Sequence, residues 1–210
     1  MRVVRWVTAW TTVAALLAFL PFFVLVRVGT AAVQGWGLGG WTSLGLGALA
    51  VAAVLGLYAG VLGWKEEAWA GVWRVLRRGG LGLGGVVLVY GVVWVGPVMA
   101  EDQAVRAEYR ALHPVLRLAA GPVFLADPGR VVTDPSRTVE DYRLLGLSEA
   151  EADLHFVQED GSVHAVDFHT GGRAAWGNRT VELGFWLLGF HSLRHRGTAD
   201  HIHVSLRSAR

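Results

Sequence analysis

Three stretches of this chain, residues 6–26, 44–64 and 81–100, carry no charged side chain. Each is close to the roughly 20 apolar residues that a helix needs to cross a bilayer core of about 30 Å. A chain of 210 residues has no room to bury three such runs in one soluble core. They are therefore expected as transmembrane helices, because backbone polar groups in lipid must be satisfied within their own segment. Trp6, Trp41, Trp64, Trp69 and Trp73 fall near the expected span ends, where amphipathic rings favour the interface.

The two halves of the sequence differ in kind. All 8 histidines and 15 of the 17 acidic residues lie beyond residue 100, whereas 8 of the 10 tryptophans precede it. The expected organisation is a three-helix membrane anchor over 1–100, a juxtamembrane helical linker over 101–119 and a soluble domain over 120–210. The first run follows Arg2 and Arg5 like a signal sequence, but it is longer than a signal core and two further spans follow, so an uncleaved anchor is expected. Basic residues at the N-terminus and in the second loop (Lys65, Arg74, Arg77, Arg78) place both in the cytoplasm. Everything after Ala100 then lies outside. No ionisable residue interrupts a span, which disfavours a transporter or proton relay. The Gly-rich pieces at 35–40 and 81–85 lack the lysine or acidic partner of a nucleotide loop, so they read as small residues for helix packing. With no cysteine there is neither a disulfide scaffold nor a thiolate metal site, and a net charge of +2 is too small to mark a nucleic-acid surface.

The soluble part reads as a small α+β domain. Strand-like runs at 123–126 and 130–133 flank the turn Asp127-Pro128-Gly129, and a helix is expected over 138–147. Residues 154–157 and 162–168 read as a hairpin, followed by a helix over 178–188 and strands at 192–196 and 201–206. In the last strand His201 and His203 share a face opposite Ile202, Val204 and Leu206. In the hairpin strand Ala165 and Asp167 share a face opposite His164, Val166 and Phe168. Imidazoles and a carboxylate presented from an apolar-backed sheet, with one position left open, suit a catalytic zinc ion.

The segments Asp-His-Ile-His-Val-Ser-Leu (200–206) and Gly-Ser-Val-His-Ala-Val-Asp-Phe (161–168) resemble the zinc D-Ala-D-Ala peptidases. That group includes D-alanyl-D-alanine carboxypeptidases and murein endopeptidases, and it shares a fold with the hedgehog signalling domain. The resemblance covers residues 120–207. It implies Asp167 and His203 as zinc ligands, with His155 as the third and His164 and His169 as rivals. The spacing from His155 to Asp167 is longer than the family's usual one. Asp200 or His201 stands where the family places its catalytic acid/base. Ser136 and Arg137, in Val-Val-Thr-Asp-Pro-Ser-Arg-Thr (131–138), stand where it binds the substrate carboxylate, a task suited to a planar guanidinium. The implied protein is a zinc-dependent peptidase of the bacterial plasma membrane that acts on peptidoglycan peptides outside. The rival expectation is a zinc-containing wall- or partner-binding module of the same fold, without catalysis.

Overall fold

The computed structural model describes residues 2–63, 110–127, 132–134, 153–196 and 200–207. The expected third span, the helix over 138–147 and the candidate clamp of Ser136 and Arg137 lie outside these residues. Helices α1 (Arg2–Trp36) and α2 (Gly40–Gly63) form an antiparallel hairpin, and both are long and apolar enough to cross a membrane. At 35 residues α1 outruns the expected span. With a rise of about 1.5 Å per residue it reaches about 52 Å, roughly 20 Å more than a bilayer core needs. The connection between the first two expected spans contracts to residues 37–39. Gly37, at φ 62°, ends α1 while its N–H bonds to Val33 O at 2.9 Å and the Leu38 N–H reaches Ala32 O at 3.4 Å. This left-handed glycine end satisfies terminal carbonyls and turns the chain at once.

One face of the C-terminal part of α1 is buried. Leu25, Val26, Ala32 and Val33 are buried, and three of them join one continuous core with the soluble domain. Helix α3 (Pro114–Ala126) packs against both hairpin helices. Gly40 opens α2 in close contact with the Pro114 ring, where a Cβ would collide. The strand expected at 123–126 is instead the last turn of α3. Leu116, Ala119, Ala120 and Phe124 recur at helical spacing and are all buried, so the packing of a whole helical face overrides a four-residue β signal.

Strand β1 (Val132–Asp134) is followed by a 3₁₀ turn (Asp153–His155), β2 (Ala165–His169), helix α4 (Ala175–Leu187), β3 (His191–His195) and β4 (His201–Ser205). The domain is α+β, and its strands pair antiparallel in the order β1-β2-β4-β3. The expected hairpin survives only as a bridge between Val157 and Val163, because β2 finds five partners in β4 instead. α4 begins three residues earlier than expected, and β3 and β4 fall at their expected places. One sheet face is apolar: Val166, Phe168, Ile202 and Val204 are fully buried beneath α3 and α4. Phe168 is the hub, with its ring centroid 5.5 Å from Phe185 and 5.9 Å from Phe124. Phe168→Ala should cost about 3–5 kcal/mol through lost burial and the cavity left behind. Denaturant unfolding of the full chain in detergent checks this, with Phe168→Leu expected to cost less.

Candidate metal centre

Strand parity puts polar groups on the face that the core leaves free. Asp167 on β2 pairs directly with His203 on β4, and His201 pairs with His169 on one side and His195 on the other. The third participant comes from the 3₁₀ turn. There the His164 N–H bonds to Leu154 O at 3.0 Å and the Gln158 N–H bonds to Ser162 O at 2.8 Å, so the long connection folds back over the sheet. His155 is thereby buried against Asp167.

His203 Nδ1 lies 2.9 Å from Asp167 Oδ1 and 3.2 Å from His155 Nε2, and His155 Nε2 lies 3.7 Å from Asp167 Oδ1. Donors bound tetrahedrally to one zinc ion at about 2.0 Å sit about 3.3 Å from one another. The three separations bracket that value. Each imidazole nitrogen can hold one proton, so hydrogen bonds alone cannot satisfy all three sides of the triangle, whereas a shared cation can. The donor set of two nitrogens and a carboxylate fits zinc chemically. Burial pushes the Asp167 carboxyl up, but the His203 hydrogen bond and the nearby His155, His203 and His201 together hold it below the usual carboxylate range. It is therefore an anion, the form a metal ligand needs.

The structure brings His201 to this site, with its Nε2 3.6 Å from Asp167 Oδ2. Asp200 goes elsewhere. Its carboxylate accepts two hydrogen bonds from Arg194, at 2.8 and 2.7 Å, and its carbonyl accepts one from Thr170 Oγ1 at 2.7 Å. Arg194 faces the register position of Ile202, on the core-side parity of β4. The Arg194 guanidinium holds the Asp200 carboxyl well below the ordinary range. Of the two rivals for third ligand, His164 points to a different acid and His169 packs over Gly171.

His113 and His195, which belong to none of the sequence motifs, also have places. The His195 ring stacks on His201 at 4.8 Å and 22°, which follows from the alternation of His191, Leu193 and His195 along β3. His113 belongs to a second His/Asp group close enough to hold a metal ion, with Asp160 and His164. His164 Nε2 lies 3.1 Å from Asp160 Oδ2, and His113 Nε2 lies 3.6 Å from the same oxygen. His113 Nδ1 accepts the Val115 N–H at 3.2 Å as the N-cap of α3. In neutral His113 the proton then sits on Nε2, facing Asp160, where a metal would need a lone pair. The group is better described as a hydrogen-bonding clip. The Pro114 that follows His113 is the sequence signal for this cap.

Comparison with protein-family models, with characterised proteins and with solved structures gives no match for this chain.

His113 is fully buried, and burial, followed by the charge of His164, pushes it down to about 4 despite the opposing pull of Asp160. The fold therefore holds it neutral while the unfolded chain protonates it near pH 6.5. Its contribution is complete above pH 6.5 and is lost as pH falls toward 4, by up to about 3 kcal/mol. Thermal unfolding of the full chain across that window should show the loss. His113→Asn, which keeps a capping acceptor, should flatten it.

Proposed function

We propose that this protein is a membrane-anchored, zinc-dependent peptidase that hydrolyses amide bonds of bacterial cell-wall peptides. The observation that carries the proposal is the mutual approach of His155 Nε2, His203 Nδ1 and Asp167 Oδ1 within 3.7 Å on a sheet face. Zinc held by these three residues would polarise an amide carbonyl and acidify a water molecule. In this reading His201 would hold and release the proton exchanged between the attacking water and the leaving amine. Its Nε2 lies 3.6 Å from Asp167 Oδ2, a carboxylate that would favour its charged form. Ser136 and Arg137 complete the proposal as the clamp for a substrate carboxylate. With α1, α2 and the expected third span over 81–100 in the plasma membrane and the N-terminus cytoplasmic, the domain would face the wall whose peptides would be its substrate.

One observation favours the second reading, a zinc-containing module that binds wall or partner without catalysis. Asp200, the acid that the peptidase resemblance offers as base, is occupied by Arg194 instead of the metal face.

The two readings separate on the full chain purified in detergent, with metal content and muropeptide hydrolysis measured on the same samples. One equivalent of zinc is expected, lost in His203→Ala and Asp167→Ala. His201→Ala should keep the metal and lose about 10²–10⁴-fold in rate, the usual worth of a general acid/base. Asp200→Asn should keep the metal and most of the rate. Zinc without cleavage in any form would establish the binding module, and no zinc after loading would end both readings.

A further inference from the structure

An open apolar groove of about 320 Å³ runs between α1, α3 and α4, on the side of the sheet away from the metal face. Phe19, Phe22 and Phe23 form one wall, with Val123, Val181 and Leu187 opposite. No charged residue lines it, and the hydroxyl of Thr180, the polar side chain at its edge, donates to Trp176 O of its own helix at 2.9 Å. A polar ligand would find no partner there. A hydrocarbon would.

Three observations identify which hydrocarbon. The phenylalanine wall belongs to the charge-free run of α1, whose Trp6, Trp10 and Leu16 are also about two-thirds exposed, as lipid-facing residues would be. The groove is therefore continuous with the surface that α1 offers to a bilayer. The outer side of α4 next to it carries Trp176, Trp186 and Leu183, exposed by 76%, 66% and 54%. Three large apolar side chains on the outside of a 13-residue helix are costly in water and ordinary at a membrane interface. Finally, Arg27, one turn beyond Phe23, lies against Gly189 just past α4, a cation at the level where the apolar wall ends. Such a charge suits the phosphate zone of a leaflet.

We propose that this groove takes one acyl chain of a phospholipid, with α4 lying in the interface and Trp176 and Trp186 at headgroup level. The soluble domain then rests on the outer leaflet by its back, and its metal face is directed away from the lipid. The inference rests on the membrane part of the proposed function, since α1 must span the bilayer for the groove to open at that depth.

The absence of cysteine makes the test direct. Single-cysteine variants L16C, V123C, L183C and L193C of the full chain are spin-labelled and reconstituted in phosphatidylcholine/phosphatidylglycerol vesicles. Their exposure to oxygen and to chromium oxalate is then compared. Positions 16, 123 and 183 should favour oxygen over chromium oxalate severalfold more than position 193, which lies on the metal face. If 123 and 183 behave like 193 while 16 favours oxygen, the groove assignment is overturned and the membrane anchor stands. If 16 also behaves like 193, the membrane reading itself fails. A photoreactive phenylalanine analogue at position 123 identifies the occupant by the mass it captures. A phospholipid adduct is expected; a peptide from residues 81–100, or a second copy of the chain, would overturn the proposal.

Discussion

The pairing of Asp167 with His203 across β2 and β4 is the contact on which the geometry of the candidate site depends. Side chains in a strand alternate between faces, so a slip of one residue would exchange the two rows. Phe168, Val166, Ile202 and Val204 would turn outward and the polar groups would enter the core. Burial of four apolar side chains, at about 1.5–3 kcal/mol each, therefore enforces the register that brings carboxylate and imidazole together. The site is not held in place by its own weak polar contacts. The opposite face of the same sheet holds it.

That opposite face is in turn finished by the hairpin. Leu25, Val26 and Val33 of α1 share one core with Phe185, Phe190 and Leu206, so the C-terminal part of the helix belongs to the α+β domain while Trp6, Trp10 and Leu16 stay exposed. Among the described residues, one small sheet and two short helices have little apolar area to bury. Borrowing the end of a long helix enlarges that core. The abrupt end at Gly37 follows from the same requirement, because α2 must return at once for Gly40 to reach Pro114.

Much of this was legible in the sequence, and the remainder was hidden for identifiable reasons. Alternation in 165–169 and 201–206 was enough to place Asp167, His201 and His203 on one face, since period-two patterning survives in any sheet that buries one side. His155 was named only through the family resemblance, because strand alternation does not reach it. It reaches the site through a turn whose hydrogen bonds join residues 154 to 164 and 158 to 162, and no local pattern announces such a return. The strand expected at 123–126 failed because four apolar residues carry no period of their own, and only the run from Leu116 onward shows the helix. The ion pair of Asp200 with Arg194 depends on the β3–β4 register, a relation between segments that neither reveals alone.

The two His/Asp groups show why proximity by itself does not define a metal centre. Both set two imidazoles around one carboxylate, and both lie at the edge of the core. They differ in what the far side of each ring does. The far nitrogen of His113 is committed as an acceptor to a helix N-terminus, which forces the proton onto the nitrogen that a metal would need. In the other group, the nitrogens of His155 and His203 meet each other at 3.2 Å and the same carboxylate oxygen at 3.7 and 2.9 Å, a small triangle of donor atoms around one point. A proton can bridge one edge of that triangle and a divalent cation can bridge all three. The capping role of His113 thus sets its cluster apart as a structural contact, while the cluster on the open sheet face is the one whose geometry suits a shared cation.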